Sequence, residues 1–262
     1  MDQILRFTSL AFIVLLLFSC DDSGNSNSKI WNKDGDWGDK DVIENEDAIT
    51  INHNGIDREY ILYVPDLYNG GTPVPLMMSF HGGGGTATGQ MYVSDMRPIA
   101  DTANFILVYP QGLQLDDGGS THWNSMLASD SNKSSVDDFG FIDALINDLS
   151  SSYNIDSTRL YATGFSNGAD ISFTLGCFLN NRIAAVAPVS GLMLSNPSSN
   201  CNPANPLGIM IIHGTLDNSR PIGGIDGYYA SIDETISFWS NLNSTSLSPN
   251  ITPYTADGLN IE

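Results

Sequence analysis

The stretch that decides the fold is RLYATGFSNG, residues 159–168. Residues 159–163 have the apolar character of a short buried strand, and apolar side chains recur at helical spacing after Gly168. Between strand and helix lies GFSNG, a Gly-x-Ser-x-Gly pentapeptide. Glycines on either side of a serine permit the strained turn that lifts its hydroxyl clear of the backbone. The pattern predicts that Ser166 is a nucleophile at a sharp strand-to-helix turn.

A second stretch supplies hydrogen-bond donors for the same chemistry. Residues 75–80, PLMMSF, lead as a strand into HGGGG, residues 81–85. Consecutive glycines let the backbone approach a ligand closely, and their N–H groups can point at a developing oxyanion. We therefore predict an oxyanion hole made by the amides of Gly83, Gly84 and Asn167. A flexible turn or a phosphate cradle is the alternative, but the lysine and Ser/Thr of a P-loop do not follow.

A third stretch offers a carboxylate at the end of a later strand. The apolar residues 207–212 lead into HGTLD, residues 213–217. Asp217 would lie just past the strand end, where ligands collect in open α/β sheets, and could orient an imidazolium as a triad carboxylate does. Alternatively, Asp217 caps the turn that follows it.

The rest of the body predicts a mostly parallel sheet. Residues 105–109 and 184–189 are continuous apolar runs that suit strands covered on both faces. Residues 142–149 and 231–241 carry apolar side chains at helical spacing. Alternation of strands and helices predicts a three-layer αβα sandwich.

These motifs resemble the esterases grouped with polyhydroxybutyrate depolymerases and with carbohydrate esterase family one, which includes feruloyl and acetyl xylan esterases. The similarity runs from about Ile51 to the C-terminus and is carried by REYILYVP (58–65), the glycine loop, YPQG (109–112), VDDFGFI (136–142), GFSNGA (164–169), residues 184–191 and HGTLD. The resemblance implies an α/β-hydrolase fold, no metal or organic cofactor, Ser166 as nucleophile and Asp217 as acid.

The chain departs from this family at the general base. Relatives place the catalytic histidine well after the acid, in a Gly-Gly-His type loop, but residues 218–262 contain no histidine. The four histidines are His53, His81, His122 and His213, and we expect His81 and His213 to support the loops that they begin; service of one of these two as the base is the alternative. We expect that the chain is a fragment, ending before the last strand and the C-terminal helix, and that it hydrolyses esters poorly or not at all; a degenerate enzyme is the alternative.

Two further features of the body concern Cys177, Cys201 and Trp123. Outside the cytoplasm the two cysteines are expected to be oxidised, and members of the resembled family often bridge cysteines at these places; two buried thiols are the alternative. The polar loop of residues 113–135 is expected to overhang the cleft. Trp123 in this loop would stack on a sugar or phenolic ring, or it would be a core residue.

The N-terminal region predicts the compartment. Residues 1–19 have the composition of a lipoprotein signal peptide, and LFSC, residues 17–20, resembles a bacterial lipobox with Cys20 as the lipidated residue. A plain signal peptide or an uncleaved anchor is the alternative. Residues 20–48 are expected to form an acidic, flexible tether, and residues 49–262 the catalytic domain. The acidic run within the tether lacks the spacing of a calcium loop, so no metal is expected.

Charge and family together indicate a class of function. The formal net charge of −20 argues against binding to nucleic acid or to anionic lipid surfaces. We expect a monomer in the bacterial cell envelope or outside the cell, anchored by lipid. Its expected activity is that of a feruloyl or acetyl esterase on side groups of plant polysaccharides. A polyhydroxybutyrate depolymerase or oligomer hydrolase, and an inactive surface carbohydrate-binding protein, are the alternatives.

Overall fold

The described chain forms short strands and helices in alternation. The computed structural model describes residues 30–31, 37–38, 48–126, 134–256 and 259–261. The strands are β1 (Ile30–Trp31), β2 (Trp37–Gly38), β3 (Ile49–His53), β4 (Ile56–Tyr63), β5 (Val74–Phe80), β6 (Ile106–Pro110), β7 (Leu113–Gln114), β8 (Thr121–His122), β9 (Ile155–Phe165), β10 (Ala185–Val189), β11 (Gly208–Ile209), β12 (Tyr254–Ala256) and β13 (Leu259–Ile261). The helices are α1 (Ala87–Val93), α2 (Arg97–Ala103), α3 (Asp138–Ser152), α4 (Asn167–Phe178), α5 (Pro197–Asn200) and α6 (Ile232–Leu242).

Seven of these strands form one sheet in the order β11-β10-β9-β5-β6-β4-β3. The pairs from β11 to β6 are parallel, while β4 runs antiparallel to both β6 and β3. The expected mostly parallel sheet is therefore confirmed. The strand that carries the pentapeptide, β9, is hydrogen-bonded on both sides, by β5 and β10.

Two apolar layers cover the sheet, one on each face. Along β6, Ile106 and Val108 belong to one buried cluster, and Leu107 and Tyr109 belong to the other. Because successive side chains of a strand point to opposite faces, these two clusters lie on opposite sides of the sheet. The larger cluster includes side chains of α3, α4 and α6, and the smaller one includes side chains of α1 and α2. This arrangement confirms the three-layer sandwich.

Helix α6 shows how local sequence sets an element boundary. The Ser231 side chain accepts a hydrogen bond from the Glu234 amide at 3.1 Å, and a Glu234 carboxylate oxygen accepts one from the Ser231 amide at 2.8 Å. This reciprocal capping box satisfies amides at the start of the helix that have no partner within it. On the other side of the helix Trp239 is buried in the larger cluster, within the predicted range 231–241.

The strand predicted at residues 207–212 is regular only over β11, but the chain stays hydrogen-bonded in parallel to β10 as far as Ile212. After β11, the amides of Met210 and Ile212 donate to carbonyl oxygens of Val186 and Pro188, at 3.0 and 3.1 Å. Ile212 also pairs with Val189 across the sheet. The chain therefore reaches the carboxyl edge of the sheet at Ile212, as the sequence predicts. Among the described residues, β12 and β13 pair with each other and not with this sheet.

The predictions for the N-terminal region fall almost entirely outside the described residues. These are the signal peptide of residues 1–19, the lipidated Cys20 and most of the tether of residues 20–48. Within the expected tether, β1 and β2 form an antiparallel pair in which Trp31 lies opposite Trp37. Across the described part of the chain, no helix has both the length and the apolar composition to span a membrane.

Candidate active site

Ser166 occupies a strained turn between β9 and α4. Its φ of 53° and ψ of −119° lie outside the regions that residues other than glycine usually adopt, and its amide donates to the Val189 carbonyl at 3.0 Å. Glycines make the turn possible: a Cβ at Gly164 would collide with the Gly168 carbonyl, and one at Gly168 with the Phe80 carbonyl. Backbone strain of this kind concentrates at functional sites, where the surrounding fold maintains it. The turn has the geometry of a nucleophile elbow.

The glycine loop lies directly against this elbow. A Cβ placed on Gly82 would lie 3.6 Å from the Ser166 Cβ, and one placed on Gly83 would lie 3.7 Å from the Asn167 Cβ. Within the described residues, the amides of Gly83 and Asn167 donate to no acceptor. Two unused amides beside a serine hydroxyl are what an oxyanion hole requires.

The hydrogen bonding of Gly84 contradicts its predicted role in the oxyanion hole. Its amide donates to the Thr121 carbonyl at 2.7 Å, so the hydrogen bond already occupies the proton that the predicted oxyanion hole would use. Its φ of +75° shows why glycine occurs there, since other residues rarely adopt that conformation. The Thr121 hydroxyl in turn donates to the Gly85 carbonyl at 2.6 Å. Gly84 therefore fastens the glycine loop to the β7–β8 hairpin and leaves Gly83 and Asn167 as candidate donors.

His81 holds the glycine loop from within the protein. Its Nε2 accepts a hydrogen bond from the Gly112 amide at 2.9 Å, so its proton is on Nδ1, which donates to the Gly82 carbonyl at 2.7 Å. The side chain is 1% exposed, and this burial lowers the pKa of His81 to about 4. A neutral histidine with both nitrogens engaged is a support for the loop, as expected, and is not available as a base for Ser166.

Trp123 also requires a correction, because it is fully buried. Its ring packs edge-on against Phe80, with 5.1 Å between the ring centres, and its Nε1 donates to the His81 carbonyl at 3.1 Å. A ring without exposed surface offers no face to a sugar or a phenolic group. The alternative of a core tryptophan describes this residue, and the substrate-stacking role does not.

Sequence reasoning missed the side chain of Asn167. Its Oδ1 accepts from the Trp123 amide at 2.7 Å, and its Nδ2 donates to the Trp123 carbonyl at 3.0 Å. The nucleophile turn is thereby joined to the segment that follows β8. A buried amide side chain with both ends satisfied fixes a single arrangement of the two backbones. The available signal was an asparagine at a position of the pentapeptide where the turn itself requires no polar side chain.

Asp217 leaves the sheet at the same edge as Ser166. Phe165 lies opposite Val189, and Val189 lies opposite Ile212, so Ser166 and the loop of residues 213–220 follow strands two positions apart. The half-buried Asp217 accepts hydrogen bonds on Oδ1 from the amides of Ser219 and Arg220, at 2.9 and 2.8 Å. This is the turn-capping that the sequence offered as the alternative. Oδ2 accepts no hydrogen bond from the described residues, so capping leaves that oxygen available for a partner.

Each of the other three histidines has a defined place in the fold. His213 bonds through Nε2 to the Arg220 carbonyl at 2.6 Å, which closes the loop that it begins. His53 lies 3.3 Å from Asp137, at the start of α3. His122 ends β8 and is half-buried. Among the described residues, no group of histidine, cysteine, aspartate and glutamate side chains is arranged to hold a metal ion.

A buried ion pair beside the elbow was also missed. Asp170, in the first turn of α4, is 1% exposed and accepts hydrogen bonds from Arg220 at 2.9 Å, the Leu192 amide at 2.9 Å and Tyr229 at 3.2 Å. Burial raises the pKa of the Asp170 carboxyl, and these three donors oppose that shift. The signal was the one charged residue of α4.

The disulfide expected between Cys177 and Cys201 is confirmed. It joins the last turn of α4 to the residue that follows α5, with 24 residues of sequence separation. Both cysteines are buried. The helix that begins at the nucleophile is therefore covalently attached to the segment leading into β11.

The proteins to which this chain is similar include carboxylesterases, feruloyl esterases and an acetylxylan esterase. The family described as phospholipase/carboxylesterase matches residues 72–235, which is more than half of the chain. The chain is 29% identical over 188 residues to feruloyl esterase D of Neurospora crassa, covering 67% of this chain and 59% of the relative. It is 31% identical over 177 residues to a probable feruloyl esterase C of Aspergillus flavus, covering 66% and 59%. It is 28% identical over 174 residues to a bifunctional acetylxylan esterase/xylanase of Neocallimastix patriciarum, covering 66% and 23%.

The chain thus spans about three fifths of the length of the feruloyl esterases that it matches. Among solved structures, the fold is similar to acetyl xylan esterase from Aspergillus awamori, with a TM-score of 0.59 and 18% identity over 79% of this chain and 84% of that one. A thermostable esterase gives a TM-score of 0.55 and 20% identity over 75% of this chain and 56% of that one. These similarities show the α/β-hydrolase fold.

Proposed function

Because the chain belongs to the phospholipase/carboxylesterase family, we propose that it performs serine-dependent hydrolysis of carboxylic esters, with Ser166 as nucleophile. The observation that carries the proposal is the placement of Ser166. Its strained turn sets the hydroxyl-bearing carbon against the glycine loop, where the amides of Gly83 and Asn167 have no acceptor of their own among the described residues. Asp217 follows a strand of the same sheet edge and would be the acid.

The reaction begins when Ser166 Oγ attacks the acyl carbon of the ester. The carbonyl oxygen becomes an oxyanion, which the amides of Gly83 and Asn167 would stabilise, and the alcohol then leaves to give an acyl-serine ester. Water hydrolyses this intermediate, returning Ser166 and releasing the acid. Removing one oxyanion donor typically costs about 10²–10³ in rate.

Both steps need a base that accepts a proton and returns it to the leaving group. His81 cannot serve, because its two nitrogens are bonded to Gly112 and Gly82. His213 donates its Nε2 proton to the Arg220 carbonyl, but its buried Nδ1 has no hydrogen-bond partner among the described residues, so hydrogen bonding does not exclude His213 as the base. Absence of turnover would favour the alternative of a surface carbohydrate-binding protein.

The substrate proposal rests on the relatives. Feruloyl esterases and an acetylxylan esterase/xylanase are 28–31% identical to this chain, so we propose a feruloyl or acetyl ester on a plant polysaccharide. A panel of methyl ferulate, acetylated xylan and hydroxybutyrate oligomers tests this choice. Preference for the oligomers would replace it with the depolymerase function.

The nucleophile is tested most directly by a fluorophosphonate probe. Prolonged incubation should attach one probe molecule, and mass spectrometry should place it on Ser166. The Ser166→Ala variant should remain unlabelled, whereas Ser151→Ala, at an exposed serine near the end of α3, should label as the parent does. Absence of label from the parent, together with absence of turnover, would contradict the esterase function.

We also propose that the protein is exported as a monomer and anchored by lipid on Cys20. The lipobox-like sequence supports the anchor, and the Cys177–Cys201 disulfide supports an oxidising compartment. A bacterial host grown with radiolabelled palmitate should label the parent protein and leave Cys20→Ala unlabelled. Equal labelling of both would contradict the anchor.

A further inference from the structure

Arg220 joins the loop of Asp217 to the helix of Ser166. Its amide donates to Asp217 Oδ1 at 2.8 Å, while its Nη2 donates to Asp170 Oδ2 at 2.9 Å. Asp170 belongs to the first turn of α4, and its own amide donates to the Ser166 carbonyl at 3.0 Å. One arginine thus contacts the candidate acid through its backbone and the nucleophile helix through its side chain.

The loop has little else to hold it in place. Gly214, Thr215 and Leu216 are exposed, and the Leu216 side chain is 88% exposed. The bonds from His213 to Arg220 and from Asp217 to the following amides lie within the loop itself. Within the described residues, the side chains and backbone of residues 213–220 hydrogen-bond to the rest of the chain through the Arg220 guanidinium, which donates to Asp170.

The receiving end of this contact is buried and hydrogen-bonded. Asp170 is 1% exposed and is held from three directions, by Arg220, by the Leu192 amide and by the Tyr229 hydroxyl. The guanidinium carbon also lies 5.2 Å from the centre of the Tyr229 ring. A buried ion pair is weak evidence for stability, because desolvation opposes the attraction, but its directional bonds can fix one geometry.

We propose that Arg220 is a positioning residue, whose pairing with Asp170 sets the place of the Asp217 carboxylate relative to Ser166. The role of Asp217 rests on the proposed function, whereas the attachment of the loop to α4 does not. Loss of the pairing should let the loop open and should lower kcat more than it changes KM, because Arg220 acts through Asp217 and not on the substrate.

The decisive variant is the double replacement Asp170→Asn with Arg220→Met. Arg220→Met alone would leave a buried carboxylate without its cation, so a loss of folding would be ambiguous. In the double variant neither member of the pair carries a charge, and the introduced side-chain amide oxygen can still accept from the Leu192 amide. Arg220→Lys keeps the charge and removes the planar fork. Arg159→Met is the matched control, because it breaks the Arg159–Asp156 pair at the opposite end of β9.

Hydrogen exchange of the full 262-residue chain tests the attachment without reference to catalysis. We expect amides of residues 213–222 to exchange about 10-fold faster or more in the double variant, an intermediate effect in Arg220→Lys, and parental exchange in Arg159→Met. Parental exchange in the double variant would overturn the proposal.

Turnover of methyl ferulate then tests the consequence for the site. We expect kcat of the double variant to fall about 10-fold to 100-fold while KM stays within about twofold of the parent value. Faster exchange with an unchanged kcat would overturn the positioning role. If the parent protein shows neither turnover nor probe labelling, the proposed function fails, and the exchange result still decides whether Arg220 holds the loop.

Discussion

The side-chain amide of Asn167 hydrogen-bonds both the backbone N–H and the backbone carbonyl of Trp123. Asn167, the residue after the nucleophile, therefore offers its backbone N–H to the candidate oxyanion hole, while its side chain holds the segment at Trp123. Because this contact is buried, its loss leaves two backbone groups of Trp123 without partners.

We expect Asn167→Ala to lower the free energy of unfolding by about 2–4 kcal/mol, since each unsatisfied buried group costs about 1–3 kcal/mol. Urea denaturation at neutral pH measures the change. Asn147→Ala, in the middle of α3, is a suitable control because the Asn147 side chain bonds to Arg182 at an exposed position. A loss of the same size in both variants would show that the contact with Trp123 has no special weight.

Gly168→Ala should disrupt the elbow. The added Cβ would collide with the Phe80 carbonyl and would lie 2.6 Å from the His81 carbonyl, so the glycine loop or α4 must move. Overpacking of this kind typically costs about 1–3 kcal/mol, and a displaced loop would also slow probe labelling of Ser166. Thermal unfolding and labelling rate measure the two effects. Gly223→Ala, where a Cβ meets nothing within 4 Å, should leave both at parental values.

The buried His81 predicts a pH dependence of stability. Its pKa is about 4 in the folded protein and about 6.5 in the unfolded chain, so the unfolded state binds more protons between these values. The free energy of unfolding should fall as pH decreases from about 6.5 to about 4, by about 3 kcal/mol in all. Urea denaturation at several pH values, compared between the parent and His81→Gln, isolates this part. Identical slopes in the two proteins would contradict the assignment.

Removal of the disulfide should destabilise the protein chiefly through the unfolded chain. A bridge that closes a loop with 24 residues of separation contributes about 3 kcal/mol. The double replacement of Cys177 and Cys201 by serine should lose about this amount in urea denaturation. Reductant should destabilise the parent and leave the double variant unchanged; equal sensitivity of both would rule out the bridge as the cause.

The sequence predicted those parts of the fold that depend on local pattern. Apolar runs located the strands, and the glycines at 164 and 168 located the turn, because no other residue fits against the neighbouring carbonyls. The cysteine pair was recovered by family resemblance and redox compartment. Each of these features follows from a few adjacent residues or, for the disulfide, from a single pair of cysteines.

The parts that sequence reasoning missed depend on residues far apart in the chain. Trp123 meets the Asn167 side chain across 44 positions, and Asp170 meets Arg220 across 50. No periodicity links such partners, so the burial of Trp123 and the ion pair became visible only in three dimensions. Gly84 was misassigned because a glycine run does not show which of its amides the β7–β8 hairpin already occupies.

The order of strands divides the candidate site into a stiff half and a labile half. β9, which leads into Ser166, is hydrogen-bonded to a strand on both sides, whereas β11, whose pairing continues to Ile212 before the loop of Asp217, has a neighbouring strand on one side only among the described residues. Edge strands fray before central ones, so thermal agitation should detach the acid long before it disturbs the nucleophile. Heating should therefore abolish catalysis at temperatures where most of the protein is still folded.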